Sequence, residues 1–301
     1  MLIARHDLRG HGLAAALAYD RRMSTTVHTA TPPPRAAPQP FGVHLRHWRQ
    51  HRRLSQQGLA DEAAISTRHL SFVETGRALP SREMVLRLAE RLQVPLRERN
   101  AMLVAAGYAP MYRERPLDDP ALAPARQAVD LILRAHEPYP ALAVDRHWNL
   151  VAANRMLPHL LTGADPALLQ APVNVLRLSL HSQGLASRIV NLVQWREHLF
   201  ERLKQQIQAT GDGQLAALLA ELQAYPAHVE PHSTRLPGEH LGVALPLQLR
   251  APDGSVLSFI STTTVFGTAV DVTVQELALE TFFPADAATS QALQQLALTT
   301  A

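Results

Sequence analysis

Hydrophobic residues follow two different spacings along this chain, one helical and one alternating. Between residues 184 and 208 they recur at steps of mainly three and four, as one face of a helix does, at Leu185, Ile189, Leu192, Val193, Leu199, Leu203 and Ile207. Apolar and polar residues instead alternate within 141–154 and again after residue 240, which is typical of half-buried strands. The pattern predicts helices combined with antiparallel strands.

The alternating stretches form two groups that are separated by helical sequence. The first, 141–154 (ALAVDRHWNLVAAN), turns at residues 145–147 and predicts a hairpin. The second group predicts three further antiparallel strands, LGVALPLQLR (241–250), SVLSFISTTTVF (255–266) and VTVQELALETFF (272–283). A helix is also expected over 128–136 (AVDLILRAH). This order, with helices inserted after the second of five strands, is that of a PAS-like α+β domain, which leaves room for an apolar cavity between sheet and helices.

A third pattern occupies residues 55–76, which read SQQGLADEAAISTRHLSFVETG. Ser55 and Ser66 are capping residues, so the pattern predicts one helix from Gln56 and a second from Thr67 to Thr75. Gly76 suits the left-handed conformation that ends such a helix. These signals predict two short helices joined by a tight turn.

The apolar residues of this pair indicate how the two helices cross. Ala60 supplies the small side chain that steeply crossing helices require at their closest approach. The inward positions are Leu59, Ala63, Ile65, Leu70 and Val73. A helical hairpin in a bundle could share the caps and this spacing, but the coincidence of both with Ala60 and Gly76 favours a helix-turn-helix whose second helix lies in the major groove of DNA.

The outward side chains at the start of the second helix are the predicted base-contacting residues, namely Thr67, Arg68, Ser71 and Phe72. A helix docked in the major groove presents its leading turn to base edges, so these positions determine specificity. Arg77, just beyond the helix, is expected to contact a phosphate. Double-stranded DNA is therefore the expected partner, bound by a homodimer on a two-fold related site.

Residues 41–110 resemble the xenobiotic-response-element type of helix-turn-helix, an all-α, lambda-repressor-like domain of five helices. The resemblance implies further helices over FGVHLRHWRQHRR, after Ser81 in SREMVLRLAERL, and after Pro95 in PLRERNAMLVAAG. It also implies that Gln56 contacts a phosphate.

The same resemblance implies that Glu74 pairs with an arginine of the first helix, which is Arg49 in this chain. Ala64 departs from the family pattern, because a glycine of positive φ is usual in this turn and alanine there costs about 1 kcal/mol.

Charge divides the chain into a basic and an acidic part. Residues 41–115 carry a net charge of +6, residues 116–301 carry −6, and the first forty residues add +3. Basic charge on the helix-turn-helix neutralises phosphates and makes binding fall with salt. The chain has no cysteine, which excludes disulfides, thiol redox sensing and cysteine-ligated zinc.

Composition and proline placement predict the domain boundaries. We expect a disordered, proline-rich tail over 1–40, the helix-turn-helix domain over 41–110, a linker over 111–120, the PAS-like domain over 121–285 and a C-terminal tail over 286–301. The first tail is either a basic arm that helps to hold DNA or the result of a start placed upstream of Met23. The apolar run GLAAALAY is too short for a membrane span and has no convincing cleavage site, so a cytoplasmic protein is expected.

The second half of the chain, over roughly residues 118–285, resembles the ligand-binding domain of the MmyB-like transcription regulators. The resemblance is carried by WNLVAAN (148–154), NVLRLSLHSQGLASRIVNLVQWREHL (174–199) and TTTVFGTAVDVTVQELALETFFPAD (262–286). It implies a PAS-like fold with an apolar pocket that accepts a fatty acid. By position, the pocket wall would include Leu176, Leu180, Ile189, Trp195, Phe259 and Phe282. A polar head group would be held by Asn154, Arg177, His181 and Arg188. Core packing and surface salt bridges are the alternatives, and convergence on one cavity would decide between them.

Enzymatic chemistry has little support in the sequence. His228, Glu230, His232 and His240 have a spacing that could hold a metal on a strand, but Pro226 and Pro231 favour a loop there. The histidines of the first helix, His44, His47 and His51, line one face, which is more typical of a solvated surface. No GxSxG, HExxH or phosphate-binding glycine loop is present, so no catalytic residue, metal or cofactor is expected apart from a fatty-acid-like effector.

The sequence thus favours a DNA-binding transcriptional regulator that responds to a small apolar effector, with no membrane partner. One alternative is that the second domain is a dimerisation or protein-interaction module without a ligand. A fused metal-dependent enzyme is the third hypothesis. A closed core would favour the second hypothesis, and a cluster of His228, His232 and His240 within ligand distance would favour the third.

Overall fold

Serine side chains cap three helices of the N-terminal region in the computed structural model, which describes residues 39–226 and 245–299. Ser55 accepts a 2.9 Å hydrogen bond from the main chain of Gly58, and Ser66 and Ser81 accept equivalent bonds at the next two caps. The helices are α1 (Phe41–His51), α2 (Gln56–Glu62), α3 (Thr67–Glu74), α4 (Arg82–Arg91) and α5 (Leu96–Ala105). This confirms the prediction of an all-α domain with five helices.

Two backbone positions show how closely these helices pack. A Cβ atom on Gly42 of α1 would lie 2.3 Å from the carbonyl oxygen of Glu74, so only glycine allows α1 to cross the end of α3. Ala64, in the turn between α2 and α3, has a φ of +55°, the left-handed conformation that glycine usually occupies. The core between the helices includes Leu45, Trp48, Leu59, Leu70, Val85, Leu88, Leu92, Met102 and Leu103, all nearly inaccessible to solvent.

The described residues divide into two units. The helical unit consists of residues 39–119 together with a distant segment, 267–275, and the sheet unit consists of the described residues of 120–266 and 276–299. No helix within the described ranges is both long and apolar enough to span a membrane.

The sheet unit contains five antiparallel strands within the described ranges, in the order β2-β1-β5-β4-β3. Its first elements are α6 (Ala123–Ala135), β1 (Ala141–Val144), β2 (Leu150–Ala153), α7 (Leu157–Leu160), α8 (Val175–Leu180), α9 (Leu192–Thr210) and α10 (Gly213–Ala224). From residue 245 onward the elements are β3 (Leu247–Arg250), β4 (Val256–Val265), the short helix α11 (Val272–Gln275) of the helical unit, β5 (Ala278–Pro284) and α12 (Ala287–Thr299). The predicted α+β class with a five-stranded antiparallel sheet is confirmed.

The two faces of the sheet are covered by different helices. On one face Val129 and Leu133 of α6 pack against Ala141, Ala143 and Leu279. The other face, which carries alternate residues of the same strands, packs against α7 to α10 and forms the main core of the unit. In this register Glu280 of β5 lies opposite Leu142 of β1 and Thr263 of β4, so a carboxylate stands on the inner face of the sheet.

The last predicted strand begins later than its alternating pattern suggests. Residues 272–275 form α11 instead, because Asp271 accepts a 3.0 Å hydrogen bond from the main chain of Thr273 and starts a helical turn. Val272 and Val274 are buried in that turn. Alternation over four residues fits either a strand or one helical turn, and the cap decides between them.

The expected C-terminal tail over 286–301 is largely a helix in the structure. Asp286 caps α12 by accepting a 2.7 Å hydrogen bond from the main chain of Thr289, and both Thr289 and Leu293 are buried against the sheet unit. The predicted tail over 1–40 lies outside the described residues except for its last two positions.

Two predicted helices have different bounds in the structure. The helix expected over 128–136 begins at Ala123, and the long helical pattern after 184 consists of a short 3-10 turn at residues 186–188 followed by α9. Asn191 precedes α9, and its side chain bonds the main chain of Pro246 and Gln248. The helical conformation is therefore interrupted between the turn and α9.

Candidate nucleic-acid interface and apolar cavity

The leading turn of α3 is accessible on the helical unit. Arg68 is exposed and its guanidinium lies 5.4 Å from the ring centroid of Phe72, one turn further along the helix. Thr67, Ser71 and Phe72 are partly exposed beside it. The residues that sequence reasoning assigned to base contacts thus share one accessible surface, which a major groove can accommodate.

A buried carboxylate joins α3 to α1 and α2. Glu74 accepts hydrogen bonds from Arg49 Nε (2.6 Å) and Nη2 (3.0 Å), and Gln56 Nε2 donates to the same carboxylate at 2.8 Å. Burial alone would raise the pKa of Glu74, but these hydrogen bonds and the charges of Arg49 and Arg46 outweigh it and hold the pKa below its ordinary value. Glu74 is therefore ionised near neutral pH and fixes the packing of three helices.

The two predicted phosphate-contacting residues differ in their surroundings. Arg77 is exposed just after α3, whereas the amide of Gln56 is bonded to Glu74. Gln57 is an exposed neighbour that sequence reasoning did not select. Its Oε1 accepts a 2.7 Å hydrogen bond from the hydroxyl of Thr67 and so connects the first turn of α2 to the recognition surface. In the sequence, the feature that could have identified Gln57 was its position next to the capped start of α2.

Two of the three histidines of α1, His47 and His51, stack on each other. The rings of His47 and His51 are 5.7 Å apart, and burial lowers the pKa of both His44 and His51, helped by neighbouring charge. Within the described ranges, no three histidine, aspartate or glutamate side chains converge on a point that could hold a metal. The second predicted cluster, His228, Glu230, His232 and His240, lies outside the described residues.

Segment 267–275, which connects β4 to β5, is bound to the last helix and the linker of the helical unit. Asp271 accepts a 2.7 Å hydrogen bond from Arg115, and the Thr273 hydroxyl donates to the main-chain oxygen of Arg115 at 2.6 Å. Gln275 Oε1 accepts a 2.9 Å hydrogen bond from the main chain of Leu96. Gln275 thereby caps α5, whose own N-cap residue is a proline without a capping side chain.

The inner face of the sheet and helices α7 to α9 line a partly open cavity of about 90 Å³ in the sheet unit. Three of the predicted wall residues, Leu176, Trp195 and Phe282, line it. The other three, Leu180, Ile189 and Phe259, are buried in the surrounding core and do not reach the cavity. Leucines form most of the remaining wall, including Leu142, Leu157, Leu160, Leu161, Leu178 and Leu199.

The predicted polar-head residues are not on the wall, and two of them hold the main chain in place. Asn154 is buried and bonds main-chain groups, among them Ala141 N at 3.2 Å and the oxygen of Tyr139 at 2.7 Å. Arg188 donates to the carbonyl oxygens of Leu160 and Arg250 at 2.8 and 2.9 Å. Both therefore stabilise loops of the sheet unit.

The other two predicted polar-head residues belong to a polar cluster beside α10. Arg177 forms a bidentate pair with Glu221 at 2.7 and 2.8 Å, and the Arg177 guanidinium lowers the pKa of that carboxyl. Burial and Glu221 raise the pKa of Tyr225 to about 12, and the ring of His181 packs edge-on against it. In this structure these side chains contact one another and do not line the cavity.

The polar part of the cavity wall comes from residues that sequence reasoning did not select. Arg202 of α9 and Glu280 of β5 line the cavity and form a bidentate ion pair, with Arg202 Nη1 3.0 Å from Glu280 Oε2. The guanidinium also lies 4.5 Å from the ring centroid of Trp148. In the sequence, the feature that could have identified Glu280 was its place as a glutamate on the inward side of an otherwise apolar strand, LALETFF.

Comparison with known proteins agrees with this division of the chain. Residues 125–296 match the profile of the MmyB-like transcription regulator ligand binding domain, and residues 40–102 match that of a helix-turn-helix domain. No curated protein matches the sequence. Among solved structures, the chain is similar to one described as an RNA-binding light-oxygen-voltage receptor, with 13% identity and a TM-score of 0.22 over 86% of this chain and 63% of that one. Because the first profile covers more than half of its length, the chain belongs to the family of MmyB-like transcription regulators, with a helix-turn-helix domain preceding the ligand-binding domain.

Proposed function

We propose that this protein recognises specific DNA sequences through the leading turn of α3 and that a small apolar effector in the cavity of the sheet unit changes its affinity for DNA. The observation that carries the first part is the exposed Arg68, whose guanidinium lies over the ring of the partly exposed Phe72 on a domain of positive net charge. Arginine reads guanine edges in the major groove, and each such contact contributes about 1–3 kcal/mol of discrimination.

Selection from a random duplex library with the full chain tests this proposal. The wild-type protein should enrich a defined site, whereas Arg68→Ala should enrich no site or one that has lost a base preference. Arg134→Ala is the matched control, because Arg134 is an exposed arginine of α6 in the sheet unit. If wild type and Arg68→Ala enriched the same site equally well, α3 would not be the reading element.

The apolar wall of the cavity supports the proposal that an apolar effector binds there. Ligand pockets in proteins commonly have volumes of roughly 300–1,000 Å³, whereas this cavity measures about 90 Å³. A chain of several carbons therefore requires the leucine side chains of α7 and α8 to move apart. Native mass spectrometry of the purified protein, followed by organic extraction, tests whether a small apolar molecule is retained.

We further propose that segment 267–275 transmits occupancy of the cavity to the helical unit. Its chain continues from β4, which carries Ser261 of the cavity wall, and leads into β5, which carries Glu280 and Phe282. An effector that shifts these two strands acts on the bonds of the segment to α5 and the linker. The effector switches DNA binding only by the difference between its affinities for the two states.

The helix-turn-helix also supports a homodimeric, cytoplasmic regulator that binds a two-fold related operator. In such complexes the two half-sites are separated by about one helical turn of DNA, because each protomer places one recognition helix in the groove. Sedimentation of the full chain with the selected duplex gives the stoichiometry. Two chains per site is the expected ratio.

A further inference from the structure

We infer that the cavity selects an uncharged amphiphile, such as a long-chain alcohol or ester, over a carboxylate, because Glu280 already neutralises Arg202. This inference rests on the proposed ligand-binding function and specifies the chemical class of the ligand. It assigns Glu280 as the residue that determines charge selectivity.

Arg202 and Glu280 are already bonded to each other on the cavity wall. Both oxygens of Glu280 accept hydrogen bonds from the two terminal nitrogens of Arg202, and the hydroxyl of Thr263 donates to Oε1 at 3.0 Å. The Glu280 side chain is 5% exposed and that of Arg202 is 26% exposed. One face of the guanidinium is covered by the ring of Trp148. The Nη1–Nη2 edge of the guanidinium, one that could bind a carboxylate bidentately, is therefore occupied by Glu280.

The described part of the cavity wall carries no net charge. Among the described residues that line the cavity, Arg202 and Glu280 are the charged ones, and their charges cancel. The ring of His198 stacks on Trp195 nearby, and burial and the charge of Arg202 lower the pKa of His198, so this imidazole is neutral near pH 7. The described wall thus offers no free cation to a carboxylate.

The cavity wall also offers hydrogen-bonding groups to a neutral ligand. Ser179 and Ser261 line the cavity with hydroxyls. The Ser179 hydroxyl accepts a 3.1 Å hydrogen bond from Trp195 Nε1 and keeps its own proton for a second partner. Hydroxyls bind alcohols, esters and amides without requiring a charge on the ligand.

A buried carboxylate ligand would meet a second anion. It would lie near Glu280 in a wall of low polarity, where like charges repel more strongly than in water. A free acid would have to bind protonated or displace Glu280 from Arg202, and both routes lose affinity. A neutral head group has neither cost, so the two ligand classes should differ by at least tenfold at pH 7.5, which corresponds to about 1.4 kcal/mol.

Calorimetric titration of the full chain with decanol and with decanoate at pH 7.5 tests the inference, since the two probes share a chain and differ in head-group charge. Quenching of the cavity tryptophans, Trp148 and Trp195, reports binding at this site. Wild type should bind decanol at least tenfold more tightly. Glu280→Gln keeps the shape of the side chain but frees the charge of Arg202, so decanoate affinity should rise at least tenfold. Glu197→Gln, which removes an exposed carboxylate of α9, should leave both affinities unchanged.

The outcomes separate this inference from the proposed function. If wild type bound decanoate as tightly as decanol, the charge selectivity would be refuted while ligand binding stood. If it bound neither probe, the ligand-binding proposal would fail together with the inference. The wild-type comparison needs no variant, so the test remains decisive even if Glu280→Gln does not fold.

Discussion

Asp271 forms a 2.7 Å ion pair with Arg115, a residue 156 positions earlier in the chain. Asp271 lies in the segment that connects two strands of the sheet, and Arg115 lies in the linker that follows the helix-turn-helix domain. The Asp271 side chain is 6% exposed and also caps α11. One carboxylate thus anchors the β4–β5 connection within the helical unit.

Removing the anchor should loosen α5. In the double variant Asp271→Asn/Gln275→Ala, the ion pair with Arg115 is weakened and the first amide of α5 loses its cap. We expect the amides of α5 to exchange with deuterium several-fold faster, because loss of a cap costs roughly 0.5–2 kcal/mol. Exchange measured by mass spectrometry checks this. Asp253→Asn, in an exposed turn of the sheet unit, is the control, and equal rates in α5 for both variants would contradict the prediction.

Replacing Glu74 should destabilise the helical unit. Glu74→Ala leaves Arg49, whose side chain is 11% exposed, without its carboxylate partner, and losing one member of a buried pair costs about 3–5 kcal/mol. Thermal unfolding followed at the α1 to α5 helices should show a clear loss, whereas Glu62→Gln, an exposed residue of α2, should have little effect. A melting curve unchanged by Glu74→Ala would refute a stabilising role for the pair.

The same residue predicts a pH dependence. Since the pKa of Glu74 is lower in the folded protein than its ordinary value of 4.5, its ionised form stabilises the folded state at pH values above 4.5. That stability is lost as the pH falls through the lower, folded pKa. The difference in stability between wild type and Glu74→Gln should therefore be constant near pH 7 and shrink in acid. A difference that grew on acidification would have the wrong sign.

Arg68 and Arg77 should affect DNA binding differently. Arg68→Ala should cost about 1–3 kcal/mol on the selected duplex and relax the preference at one base pair. Arg77→Ala should weaken binding to all duplexes equally and reduce the slope of log affinity against log salt by about 1. Fluorescence anisotropy at several salt concentrations distinguishes the two. Identical behaviour of both variants would argue against a reading role for Arg68.

The strained turn offers a stabilising substitution. Ala64→Gly relieves a left-handed alanine, and after the entropy cost of glycine in the unfolded chain we expect a gain of about 0.5–1 kcal/mol. Ala106→Gly is the comparison, because Ala106 has a φ of −87° and glycine there should destabilise. Unfolding curves of both variants test the contrast. A loss of stability in Ala64→Gly would show that the strain is absent in solution.

Local signals explain why the helical unit could be predicted from the sequence. Ser55, Ser66 and Ser81 cap helices within three residues of themselves, and such bonds depend on neighbours in the chain. Five antiparallel strands were also predicted, but their order in the sheet was not, because β1 pairs with β5 from the other end of the unit. Boundaries were less predictable where one side-chain cap decides between a strand and a helical turn, as at Asp271.

The cavity could be predicted only in part, because its wall is built from distant segments. Arg202 and Glu280 are 78 positions apart, and each looks ordinary in its own helix or strand. Arg177 and Arg188 were expected to hold a polar head group because of the resemblance to the MmyB-like ligand-binding domain, but Arg177 pairs with Glu221 and Arg188 binds main-chain oxygens. Which arginine reaches the cavity depends on tertiary packing that spacing does not encode.

The most direct test of the regulatory account is the reciprocity of the two binding events. The affinity of the full chain for its selected duplex should be measured without decanol and with decanol at saturation, and the affinity for decanol should be measured with and without the duplex. Linkage requires both ratios to be the same, and we predict a common factor of about 5–150. Saturation of the cavity with no change in DNA affinity would contradict the account.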